Sequence, residues 1–184
     1  MTAAVITALP GLTAGTWTID PVHSAVTFSV RHLMVSKVRG EFTEFSGQVT
    51  IENDGSASVA ADIAVGSVTT KNKQRDEHLH STDFFDAANH PTATFRSTGV
   101  RSEGSEVFVD GEFTLRGVTK PVTLSLEFNG VNPGMGQGEV AGFEATTVIN
   151  RKDFGVNFDA PLENGGAVVG DKVTIILEIE AIKQ

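Results

Sequence analysis

Two histidines bracket one alternating segment of the chain: His23 lies before residues 25–31 and His32 after them. Imidazoles at both ends of a strand could act as an acid–base pair on a substrate held between them. The nucleophile such a pair would activate is missing. The chain has no cysteine, and no serine sits in a Gly-x-Ser-x-Gly elbow. Histidines at strand ends also bond to backbone, which is the simpler reading of both.

His78, His80 and His90 stand near Asp83 and Asp86 and could be drawn as metal ligands. Side chains two residues apart on a helix point away from one another, so His78 and His80 do not converge, and no metal is expected. Gly134, Gly136 and Gly138 imitate a dinucleotide-binding fingerprint, but a strand pattern follows where a helix is required; they read as a hairpin loop. Arg75, Arg151 and Lys152 are usually surface ion-pair residues. At the mouth of a barrel they could instead hold an anionic head group. Of these, Arg75 has a helix to aim it.

These groups must be positioned largely by strands. Val26, Phe28 and Val30 alternate with polar residues. So do Val107, Val109, Phe113 and Leu115, then Val122, Leu124, Leu126 and Phe128, then Val173, Ile175, Leu177 and Ile179. Successive side chains of a strand point to opposite faces, so each run predicts one apolar and one wet face. Further strands are expected at 16–19, 38–51, 58–65, 92–98 and 140–149. Within 38–51 the apolar parity slips near Thr43 and Glu44, as a β-bulge would cause. Residues 32–37 lack alternation and read as a helical turn. Residues 71–80 are polar, charged and free of β-branched side chains; they predict one helix, with Thr70 as its N-cap. The uncharged stretch 173–177 would aggregate on an open edge, and closure removes edges. The expected class is all-β: a closed antiparallel barrel of about eight strands with one short helix excursion. Such an interior is either packed shut or holds one small ligand.

Composition narrows the partners. The 184 residues suit residues 15–184 as a single barrel domain behind an N-terminal tail, 1–14. Fourteen Lys and Arg against 23 Asp and Glu give a net charge of −9, which argues against nucleic acid and disfavours anionic membrane surfaces. The absence of cysteine excludes disulfides and thiolate chemistry. The tail is Ala-rich, but the first basic residue is Arg31, so the positive region of a secretory signal is missing and a cytoplasmic protein is expected. No apolar run is long enough for a membrane-spanning helix. A homodimer is compatible with such a barrel.

Several blocks together resemble the YceI-like family. They are Trp17-Thr18-Ile19-Asp20-Pro21-Val22-His23-Ser24, Val26 to His32, Gly40-Glu41-Phe42 with Phe45-Ser46-Gly47, and Asn72 with Arg75-Asp76-Glu77-His78-Leu79. They continue with Asp83-Phe84-Phe85, His90-Pro91 with Phe95, Gly111 to Val122, Asn150 to Gly155, and Val169 to Val173. The family is known for polyisoprenoid binding in a lipocalin-like barrel. The resemblance implies a lumen that takes a long isoprenoid or similar amphiphile. It implies no catalytic set and no cofactor beyond such a bound lipid.

The residue pattern and the resemblance agree physically. A tunnel lined by Val26, Phe28, Val30, Phe42, Ile63, Val109, Phe113, Leu124, Phe143 and Leu177 would desolvate a hydrocarbon chain. Each buried methylene is worth about 0.8 kcal/mol, so about ten offset an association cost of several kcal/mol. Arg75, His32 and His23 are the candidate head-group contacts. The expected function is non-enzymatic binding or carriage of a long apolar lipid. The alternative is a barrel enzyme acting on an apolar substrate with His23 or His32 as acid or base. A lumen packed solid would instead indicate a structural module.

Overall fold

The computed structural model describes residues 8–160 and 168–184. Their strands are β1 (Gly15–Ile19), β2 (Ala25–His32), β3 (Ser36–Phe42), β4 (Phe45–Ile51), β5 (Ala57–Ala64), β6 (Val68–Thr69), β7 (Thr92–Glu103), β8 (Glu106–Leu115), β9 (Val118–Asn132), β10 (Val140–Asn150) and β11 (Val169–Lys183). The helix α1 spans Lys73–His80. All pairings are antiparallel, and the ring closes where β1 meets β11, with Trp17 opposite Lys183 and Ile19 opposite Ala181.

Eight staves make the barrel. Five are β7 to β11. The other three are broken in the middle: β1 continues as β2, β3 as β4, and β5 as β6. β11 spans both halves of the first, pairing with β1 at Ala181 and with β2 at Val173 to Glu178. The second break falls at Thr43 and Glu44, the site of the parity slip. Phe42 and Phe45 both face the lumen across it, which an unbroken strand could not allow. The break is stitched to its neighbour: Glu44 N–H donates to Ser67 Oγ at 3.0 Å, and Ala64 N–H to the Glu44 carbonyl at 2.9 Å.

Other slips hid the lengths of two strands. A bulge between Ser97 and Gly99 moves β7 from Phe95 parity to Val100 parity, so alternation stops at the bulge although the strand runs to Glu103. On β9 the inward parity changes between Phe128 and Val131, beside an irregularity at Gly142/Phe143 of β10. Residues 33–35 are a hairpin tip rather than the expected helical turn. His32 pairs with Ser36, and the apolar residues between them fail to alternate because they project from a turn.

Apolar side chains gather at both ends of the barrel. At one end Leu9 and Leu12 pack with Trp17, Val107, Ala141 and Ala181; Trp17 is fully buried and its Nε1 donates to the Thr13 carbonyl at 3.0 Å. The described part of the tail thus plugs the barrel; residues 1–7 lie outside the described residues. At the other end Phe84, Phe154 and Val156 pack with Val65, Ala93 and Leu115 beneath α1.

α1 is too short to be stable alone and buries none of its residues fully. Polar bonds hold it. Its N-cap is Asn72, not Thr70: the Asn72 side chain accepts from Arg75 N–H at 2.9 Å. Thr70 is buried one turn earlier, where its N–H and hydroxyl both donate to Asp76. Replacing Asn72 with Ala should therefore cost about 1 kcal/mol locally. Hydrogen exchange should quicken across Lys73–His80 while the barrel strands stay protected. Unchanged exchange in the helix would contradict the cap assignment.

Candidate functional site: an apolar lumen

Between the two plugs lies a cavity of about 240 Å³. All ten residues expected to line a tunnel line it: Val26, Phe28, Val30, Phe42, Ile63, Val109, Phe113, Leu124, Phe143 and Leu177. Many of these inward side chains, Phe28, Leu124 and Leu177 among them, are only half-buried because the space they face is unfilled. The lumen is therefore open rather than packed solid.

Two glycines keep it wide. Phe28 lies directly across the sheet from Gly40, and a Cβ at Gly40 would collide with its ring. Phe95, diagonal to Gly111 across the sheet, covers it likewise, and a Cβ there would collide with the Phe95 ring. Each ring rests flat where a neighbour has no side chain, instead of projecting into the lumen.

The sequence pattern did not identify the lid. Leu79 of α1, Phe84 and Phe85 also line the cavity, and Phe85 stacks near Phe42 with ring centroids 5.9 Å apart. The signal available was the adjacent pair Phe84-Phe85 inside an otherwise polar excursion. His78 joins the same end, edge-on to Phe84 and Phe158 at 5.0 Å from each.

Arg151 is the charged residue on the cavity wall, and it is buried. Its guanidinium donates to the carbonyls of Gly170 (2.8 Å), Val156 (2.8 Å) and Val169 (3.2 Å). These bonds tie the segment after β10 to the start of β11. They leave Arg151 a clamp rather than a free anion-binding group.

None of the three candidate head-group residues lines the cavity. Arg75 is exposed and donates back to Thr70, from Nε to the hydroxyl at 2.7 Å and from a terminal nitrogen to the carbonyl at 2.9 Å. It secures the start of the helix. His32, the last residue of β2, shares the inward parity of Val26, Phe28 and Val30 and pairs with the lining residue Val169, but does not itself line the cavity. His23 is outside the barrel, 63% exposed, in the break between β1 and β2. Its Nδ1 is 2.7 Å from Asp20 and 3.8 Å from Glu180.

His78 pairs with Asp83 at 2.8 Å, whereas His90 is 3.9 Å from Asp86. Among the described residues the cluster that brings together three ligating side chains is Asp20, His23 and Glu180. Asp20 Oδ1 also accepts from Val22 N–H at 2.9 Å, so its carboxylate closes the turn in the first broken stave. Gly134, Gly136 and Gly138 lie in the β9–β10 hairpin loop.

A closed antiparallel barrel, plugged at both ends around an apolar lumen, is a lipocalin-like architecture. The YceI-like domain matches residues 17–181, and the chain belongs to that family. The UPF0312 protein SAS2572 of Staphylococcus aureus is 40% identical over 163 residues, 85% of this chain and 91% of that protein. BcnA of Burkholderia cenocepacia has a similar structure, with a TM-score of 0.73 and 25% identity over 88% of this chain and 98% of that one. A polyisoprenoid binding domain from Saccharophagus degradans shares the fold at a TM-score of 0.68 and 16% identity, covering 91% and 98% of the two chains.

The His23–Asp20 pair has a pH signature. The hydrogen bond to Asp20, and then the nearby Glu180 charge, raise the His23 pKa; the same hydrogen bond lowers that of Asp20. The histidine's contribution is complete below its ordinary pKa and is lost as pH rises through the raised value. The aspartate's contribution is present above its ordinary pKa and is lost as pH falls through the lowered one. An NMR titration should show His23 titrating above an ordinary histidine, and Asp20→Asn should bring its midpoint down. A midpoint unaffected by that substitution would contradict the pairing.

Proposed function

We propose that this protein binds and carries a long apolar isoprenoid-type lipid in its lumen and performs no chemistry on it. The open apolar cavity is the observation that carries the proposal. At about 24 cal/mol per Å³, an unfilled space of that size forgoes about 6 kcal/mol of packing, which a hydrocarbon ligand would recover in part. The wall selects for chain rather than head group, since its buried arginine is held by three backbone carbonyls and the nearby Asp171 carboxylate. Membership of the YceI-like family and the polyisoprenoid-binding name of the Saccharophagus degradans domain favour a prenyl chain over other hydrocarbons. Catalysis finds no support at the lumen, because neither His23 nor His32 lines it. A cytoplasmic location belongs with the proposal and is checked by fractionation of the host.

Two measurements test it. A prenyl alcohol at a hundred times its Kd stabilises by about 2.7 kcal/mol, which should raise Tm by roughly 5–10 °C in a barrel of this size. No shift with any prenyl chain would defeat the proposal. The second uses Phe113, which lines the cavity edge-on to Phe154 at 5.4 Å. Phe113→Trp should fold with little loss of stability, because space is available. Excluding only two methylenes costs about 1.6 kcal/mol, so prenyl affinity should drop more than tenfold. A Trp variant that binds like the parent would show that the chain lies elsewhere.

A further inference from the structure

The tip of the β2–β3 hairpin exposes three apolar residues: Leu33 (39% exposed), Met34 (53%) and Val35 (83%). Val35 N–H donates to the His32 carbonyl at 3.2 Å, and the two residues inside that turn, Leu33 and Met34, have φ of +52° and +61°. Turns of this hand normally use Asn and Gly, which tolerate positive φ. Here a strained backbone presents two large apolar side chains to water, against local preference and against solubility.

The charges behind the tip are equally unusual. Arg31 and Lys37 are direct cross-strand partners, both exposed and on the outer face, and Arg39 follows on the same face. Like charges directly opposite repel. Among the described residues none of the three has an acidic partner. Of the other eleven Lys and Arg, Arg96, Arg101, Arg151, Lys152 and Lys183 pair with an acid, and the remaining six have no acidic partner among the described residues. At the opposite end of the barrel the turns carry Glu52, Asp54, Glu103, Glu106 and Glu139. The tip's own end carries acids too, among them Asp83, Asp86, Asp153 and Asp171, so the hairpin is a local basic patch on a chain of net charge −9. With a screening length of about 8–10 Å, a surface approached tip-first senses mainly the basic hairpin.

The same hairpin walls the lumen. Val30 and Val38 face one another on its inner side, Val30 lines the cavity, and Leu33 N–H bonds to the Val168 carbonyl beside Val169, another lining residue. Building on the lipid-carrier reading, we propose that the β2–β3 tip docks on an anionic membrane surface. Leu33, Met34 and Val35 enter the interface while Arg31, Lys37 and Arg39 meet lipid phosphates. A lipid could then pass between bilayer and lumen along apolar surface.

The test uses the full chain with vesicles of phosphatidylcholine, with and without phosphatidylglycerol, at low salt. The protein should sediment with the anionic vesicles and be released by salt. The double variant Leu33→Asn, Met34→Gly supplies the residues this turn prefers, so its Tm should equal or exceed the parent's while vesicle binding falls at least tenfold. Lys37→Ala with Arg39→Ala should weaken vesicle binding about 30-fold, since each such cation contributes about fivefold. A parent protein that ignores anionic vesicles, or a Leu33→Asn, Met34→Gly variant that binds them equally, overturns the proposal; the former would leave a protein partner for the tip. Geranylgeraniol binding in solution separates the two readings. Its loss in the parent defeats the lumen proposal alone, and vesicle binding still decides the docking proposal.

Discussion

Closure of β11 onto β1 is the interaction on which the rest depends. The stretch Val173 to Leu177 would be a sticky edge in an open sheet. Paired on both sides, with β10 along one edge and β1 and β2 along the other, it becomes wall. Closure sends every inward side chain toward one axis. A ring of eight staves is about as wide as side chains can fill, and here the middle of the barrel holds mostly Val, Leu and Ile, with rings laid against Gly40 and Gly111. The space that remains follows from stave number and residue size, and its apolar character follows from alternation.

Polar chemistry in this molecule is mostly spent on keeping that ring in register. Asp20 and His23 close the first break, and Ser24 exchanges bonds with the backbone of Glu180 across it. Ser67 stitches the second and third breaks together. Arg116 donates to the carbonyls of Gly155 and Thr82, joining the β8–β9 turn to the segment after β10 and to the loop after α1, as Arg151 joins β10 to β11. Asp20, His23, Ser24, Arg116 and Arg151 lie in the blocks through which the chain resembles its family, and Ser67 lies outside them. The blocks therefore carry much of the hardware of the barrel. The lumen is lined mainly by Val, Leu, Ile and Phe, and several of these, Phe28, Phe42 and Phe113 among them, fall in the same blocks.

Strand geometry explains what could be read from sequence. Alternation located the lining residues because one inward face per strand is a direct consequence of the pleat. The slip at Thr43 and Glu44 was visible because strong apolar residues flank it on both sides. The continuation of β7 past Gly99 was not, since its bulge falls among Ser, Thr and Gly, which carry no parity. Arg75, His23 and His32 were credible head-group residues by type. Their placement depends on short-range hydrogen bonds, to Thr70 for Arg75 and to Asp20 for His23, that residue type and spacing alone do not reveal. The lid aromatics were missed because Phe84 and Phe85 reach the lumen from a loop, where no periodicity applies.

The central claim is that the cavity is a binding site and not a packing defect. Native mass spectrometry of the protein purified from its host, with organic extraction of the same sample, tests it most directly. The account predicts a mass excess that extraction recovers as a long-chain prenyl compound. Protein that arrives without such an excess, and that takes up no prenyl chain when one is offered, would contradict it.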